Sequence, residues 1–138
     1  MGTLADMLAS PTILVQPGAI FMGPMEGVDH PKFYVIAGIS GDRILACSVL
    51  INSHINPFIF RRPALLQLQV QIDPENYSFL DHVSYINCAS PFRGQLIRFD
   101  QAGFFYKAQL KVEDLEKVQN NIKESGLLTE EEILLYQL

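Results

Sequence analysis

The apolar residues of this chain change their spacing once, near residue 111, and that change limits the fold more than any other feature. Before it, β-branched, aromatic and other apolar residues form short runs or alternate with polar ones. After it, Val112, Leu115, Val118 and Ile122 fall three or four apart. Alternation is the period of a strand with one wet face, whereas spacings of three and four lay a stripe along a helix. The clearest alternation sets Leu66, Leu68, Val70 and Ile72 against Gln67, Gln69 and Gln71. It predicts a strand over 66–72 with the first set buried and the glutamines facing solvent or a partner. Further strands are predicted at 19–22, 32–39, 43–51, 83–88, 95–99 and 104–110. Ser40-Gly41-Asp42 joins two of them as a hairpin turn, and turn signals at Ser90-Pro91 and over 100–103 separate others. Pro57 and Pro63 leave 52–63 irregular.

The second half of the pattern predicts two helices. Glu113 and Lys117 support the first as an (i, i+4) pair, and Gly126 stands where its C-terminus favours a left-handed residue. Thr129 followed three residues later by Glu132 is a capping box opening a last short helix over 130–136. Strands first and helices last predict an α+β chain, mainly β. Short strands with frequent turns favour a small barrel of six to seven strands with one or two C-terminal helices. The expected division is an N-terminal arm over 1–16 and a single domain over 17–138.

With 138 residues, 49% apolar and 18% charged, the chain suits one packed domain and is no disordered sequence. It has no apolar run of the ~18 residues that a membrane span needs. It opens without a basic, then apolar, leader, and it has only two cysteines, so a cytoplasmic location and no membrane partner are expected. Cys47 and Cys88 lie in apolar strands and read as small core residues.

The net charge of −5 is unevenly spread. Residues 1–31 hold Asp6, Glu26 and Asp29 but no Lys or Arg, and residues 100–138 hold eight acids against four lysines. All five arginines lie between 43 and 98. Arginine makes planar, two-pronged contacts with phosphate, so the middle of the chain is where an anionic ligand is expected.

Catalytic motifs are few. Neither a phosphate-binding glycine loop nor a nucleophile elbow occurs, and neither cysteines nor histidines have zinc-ligand spacing, so no metal or cofactor is expected. Polar groups gather at two strand ends, Asn52-Ser53-His54 and Asp81 to Asn87, with Arg93 after a short loop. Cutting RNA without a metal needs a base for the 2′-hydroxyl, an acid for the leaving oxygen and a cation for the developing charge. His82 can serve as acid or base and Arg93 as charge stabiliser. Lys32, Asn52, His54, Ser84 and Asn87 can contact the strand. Each has a plain structural role as well: Ser84 and Asn87 as strand-end hydrogen-bonders, His82 as an exposed or capping residue, Arg93 as a loop residue.

The order of these segments resembles the MazF/PemK-type toxins over about residues 17–125. Gly18-Ala19-Ile20-Phe21, a polar loop, His30-Pro31 and the strand over 33–36 are similar to that family's first hairpin. The strand over 44–50, ending in Ile51-Asn52-Ser53, is similar to its next strand, which ends in a Thr/Ser pair. Tyr85-Ile86-Asn87-Cys88-Ala89 resembles the strand leading to the family's active-site segment, and Val112-Glu113-Asp114-Leu115 opens a helix like its C-terminal one. The run from Tyr77 to Tyr85 resembles a phrase of a divergent branch. His30 stands where the family often has Arg, and Ala89 near a position where many members carry Asp.

The resemblance implies an SH3-like barrel, often dimeric, that cuts single-stranded RNA without metal and is neutralised by an antitoxin segment. It makes Ser53 an orienting catalytic group and Arg93 the phosphate-facing arginine. The alternative is an inactive SH3-like barrel that binds a protein or peptide. Exposed strand edges are protected by pairing or covering, so a homodimer is expected, with residues 7–15 covering apolar surface.

Overall fold

The computed structural model describes residues 15–138. Six antiparallel strands form one sheet: β1 (Ala19–Gly23), β2 (Lys32–Ile39), β3 (Leu45–Asn52), β4 (Gln69–Ile72), β5 (Ser84–Gln95) and β6 (Phe105–Gln109). Their order across the sheet is β4-β5-β3-β2-β1-β6. The sheet curls, but among the described residues β4 and β6 remain its two edges, so the expected barrel is a half-barrel. Short helices α1 (Pro57–Phe60) and α2 (Pro63–Leu66) link β3 to β4, and α3 (Val112–Glu124) and α4 (Glu130–Leu135) follow β6. The chain is α+β and mostly β, and no helix among the described residues is long and apolar enough to cross a membrane.

β1, β2 and β3 are mostly apolar and buried because both faces of the sheet are covered there. Ile20, Val35, Cys47, Val49, Ile51, Ile86 and Cys88 face one core, closed by Val118 and Ile122 of α3. Phe21, Tyr34, Ile36 and Ala46 face a second core, closed by Leu96 and Phe99. Those two residues sit three apart on a 3₁₀ helix, Leu96–Asp100, where a strand was predicted over 95–99. A spacing of three puts both side chains on one side of a 3₁₀ turn, which a strand cannot do.

Two other strand predictions are corrected. Leu66 belongs to α2, with Pro63 at its start, and the alternating segment becomes a strand only from Gln69. Proline preset for a first helical turn overrides the alternation there. Val70 and Ile72 are buried as expected and Gln71 is exposed, while Leu66 and Leu68 are half-buried. The turn expected at Ser90-Pro91 is instead part of β5. Ser48 pairs with Phe92 and Leu50 with Asn87, so β5 carries a bulge containing Pro91, where no ladder bond is required of its missing N–H.

The expected turns and caps are otherwise present. At the β2–β3 hairpin, Asp42 accepts from Ser40 Oγ at 2.6 Å and Ser40 Oγ accepts from the Leu45 amide at 2.9 Å. Gly126 has φ 73°, and Thr129 and Glu132 form both halves of the capping box. Tyr77 fastens the start of α3: its hydroxyl donates to Asp114 and accepts from the Lys111 amide at 3.0 Å. Residues 7–14 of the expected arm lie outside the described residues; Val15 is buried in the second core and its carbonyl accepts from Arg43 Nη2 at 2.8 Å.

Gly38, at the β2–β3 bulge, has α4 packed directly over it. A Cβ there would collide with the Tyr136 main-chain oxygen and lie 2.8 Å from Leu138 Cδ2. Gly38→Ala should therefore lower stability by about 1–3 kcal/mol, the usual range for overpacking, read as a lower urea midpoint at unchanged slope.

Candidate functional site

Antiparallel register gathers the polar strand ends. Phe33 lies opposite Ile51 and Asn52 opposite Tyr85, so the start of β2, the end of β3 and the start of β5 meet at one end of the sheet. Three loops add to that end: Asp29-His30-Pro31 before β2, Ser53-His54 after β3 and Phe79 to His82 before β5. Two adjoining clefts result, sharing Lys32 and Ser53. The first, of about 190 Å³, brings His30, Lys32, Ser53, Asp81 and His82 over an apolar floor of Phe33, Ile51 and Phe79. The second, of about 250 Å³, is lined by Lys32, Asn52, His54, Asn56 and Gln69.

The floor is stiff. Phe33 and Phe79 pack edge to face with centroids 5.0 Å apart, and Phe79 meets Tyr77 at 6.3 Å. Above it, Lys32 Nζ donates to Asn52 Oδ1 at 2.9 Å, bridging β2 and β3. The rings of His54 and His82 lie nearly parallel, 21° between planes, with centroids 6.5 Å apart. His30 Nδ1 lies 2.9 Å from Asp29 Oδ1, and that hydrogen bond is the main cause holding the exposed Asp29 carboxyl below its ordinary range. All three histidines of the chain therefore stand at this one end.

The structure brings together His82, Ser53, Lys32, Asn52 and His54. Ser84 lines the first cleft but is buried, with its hydroxyl donating to the His82 carbonyl at 3.1 Å. Asn87 lies further along β5, where its Oδ1 accepts from Gln69 Nε2 at 2.8 Å and from the Ala89 amide at 3.0 Å. Both hold the strand end in place.

Arg93 is not part of this group. It pairs with Cys47, near the opposite end of β3, because β5 runs unbroken through the expected turn. Cys47 stands five residue steps along β3 from Asn52, the partner of Tyr85, about 17 Å of strand. Its Nε binds Glu132, and its Nη2 donates to Glu132 Oε1 at 3.1 Å and to the Leu127 carbonyl at 2.9 Å. Arg93 thus fastens α4 to the sheet. Residue types alone singled out His82 but left His30 and the Phe79 floor outside the site. The signal for His30 was the chain's small number of histidines; nothing local marked Phe79.

Among the described residues, no three His, Cys, Asp or Glu side chains group as a metal site. A comparison with protein-family models found no match, and a search of curated proteins found none.

Two measurements check these assignments. Glu132 is held at about 2, chiefly by the hydrogen bond from Arg93, against an ordinary 4.5. A lowered carboxyl supports the fold fully above its unfolded value, and that support is lost as pH falls through the folded one. Arg93→Gln should lower the urea midpoint at neutral pH, and its gap from the unaltered protein should close between about pH 4.5 and 2. Burial pushes the Cys47 thiol up to about 11 and the Cys88 thiol up to about 12. Neither should react with DTNB in the folded protein at pH 8, and both should react once urea unfolds it.

Proposed function

We propose that this chain is a toxin-like endoribonuclease, built on an SH3-like barrel, that cuts single-stranded RNA without metal at the clefts shared by Lys32 and Ser53. The observation that carries the reading is the convergence of His30, His54, His82 and Lys32 at one end of the sheet. Imidazole is the side chain suited to both giving and taking a proton near neutral pH, and two are needed. A neutral imidazole, His82 or His54, takes the proton of a 2′-hydroxyl. That oxygen attacks phosphorus, and the bond to the 5′-oxygen breaks. The other residue, as imidazolium, gives that leaving oxygen a proton, so the products are a 2′,3′-cyclic phosphate and a 5′-hydroxyl.

Lys32, already oriented by Asn52, takes the charge-stabilising role first expected of Arg93. Ser53, between the two clefts, orients the phosphate, and Asn52 holds the lysine. Neutralisation by an antitoxin segment, assembly as a homodimer and action in the cytoplasm belong to the same proposal. The edges β4 and β6, unpaired among the described residues, and the exposed Phe105 and Tyr106 supply surface for such pairing.

One feature favours the second reading, an inactive barrel that binds protein or peptide. Met22, Pro24, Val28, Pro31 and Phe105 line an apolar cleft of about 390 Å³ beside His30.

Single-stranded RNA incubated with the protein and EDTA separates the two readings. Cleavage leaving 2′,3′-cyclic phosphate ends is expected. His82→Ala should slow it by about 10²–10⁴-fold, the size of a lost general acid or base. Lys32→Ala should slow it by about 10²–10³-fold, and Arg93→Gln should leave the rate of the folded protein unchanged. RNA left intact at micromolar protein, or cut as fast by His82→Ala, would overturn the nuclease.

A further inference from the structure

The segment between β3 and β4 has a composition unlike the rest of the chain. From 43 to 72 there is no Asp or Glu, although the chain as a whole carries −5. Within that stretch α1 is short but firmly held: Asn56 Oδ1 caps it by accepting from the Ile59 amide at 2.8 Å, and Ile59 is buried. Anchoring Ile59 turns its neighbours outward, leaving Phe58 58% and Phe60 65% exposed. Both arginines that follow, Arg61 and Arg62, are exposed too. The Arg62 guanidinium lies 3.5 Å from the centroid of the Phe58 ring, while its Nη1 donates to the Phe58 carbonyl at 2.9 Å. Arg62 is thereby held over the ring, ready to receive a second flat group or a phosphate.

We propose that Phe58, Phe60, Arg61 and Arg62 form a platform for single-stranded RNA that leads into the second cleft. It rests on reading the clefts as an RNA site. Aromatic rings interleaved with arginines serve single strands because every base has a face to stack and every linkage a charge to pair. A strand held there is continuous with the cleft, since Asn56 and Ile59 line it beside His54 and Lys32. The absence of acids supplies charge complementarity to RNA, and it distinguishes this patch from the acidic stretches at 1–31 and 100–138.

The test is binding of a fluorescein-labelled 2′-O-methyl single strand, which lacks the attacking hydroxyl and so reports binding alone, followed by anisotropy with the whole chain. The double variant Phe58→Ala, Phe60→Ala should weaken Kd by about tenfold or more. The double variant Arg61→Gln, Arg62→Gln should also lower the slope of log K against log salt by about 1.4, at about 0.7 for each phosphate that an arginine no longer neutralises. Circular dichroism should be unchanged for both. No binding by the unaltered protein, or a Kd within about twofold of it for both variants, would overturn the platform. So would loss of binding to phosphatidylserine–phosphatidylcholine vesicles in these variants with RNA binding intact, which would assign the patch to a lipid surface. Cleavage is scored separately on unmodified RNA. Cutting that survives without platform-dependent binding leaves the nuclease reading standing and overturns the platform. Platform-dependent binding without cutting removes the nuclease alone and leaves the clefts as an RNA-binding site.

Discussion

Burial of the middle strands on both faces is the constraint on which the rest of the structure depends. Phe21, Tyr34 and Ile36 serve one core while Ile20, Val35 and Val49 serve the other, so a register slip of one residue would exchange two packed sets at once. Such a sheet has little room for polar chemistry along its length. Among the described residues, Ser48 and Ser84 are the buried polar side chains in strands, and in β1, β2 and β3 the one charged residue, Lys32, stands at a strand end. The candidate site therefore stands where a rigid scaffold hands over to loops, the usual place for binding and catalytic groups.

The same constraint explains why two basic residues of similar promise have different parts. Lys32 opens β2 and projects where three loops meet, with its amine oriented by Asn52 across the strand pair. Arg93 stands near the far end of a long strand, facing the helices that close the first core. Its guanidinium meets a carboxylate that also caps α4, so Glu132 joins the helix to its own N-terminus and to the sheet. The Arg93 charge is thus already paired within the fold.

Charge distribution gives the molecule a direction. The acids of α3 and α4 belong to the helical side, whereas the acid-free stretch from 43 to 72 includes the loop that carries His54 and α1. A polyanion, on the proposed reading, meets the acid-free stretch at α1 and the His54 loop, away from the acids of the helices. On the proposed reading, the net charge of −5 describes the helices more than the site.

Period and local chemistry were enough to place β1, β2, β3 and α3, the Ser40–Asp42 hairpin and the Thr129 capping box, because each is set by neighbours within a few residues. They were not enough for α2, the 3₁₀ helix at Leu96 or the unbroken β5. In those places the deciding contacts come from elsewhere in the chain: Leu96 and Phe99 fold inward because Phe21 and Tyr34 need a cover, and β5 continues past Pro91 because β3 accepts it with a bulge. The site divides the same way. Residue type marked His82, Ser53, His54 and Lys32 as groups with suitable chemistry. Only register placed them together with His30 and set Arg93 apart, because in a sheet proximity follows from which residues pair, and pairing depends on both strands at once.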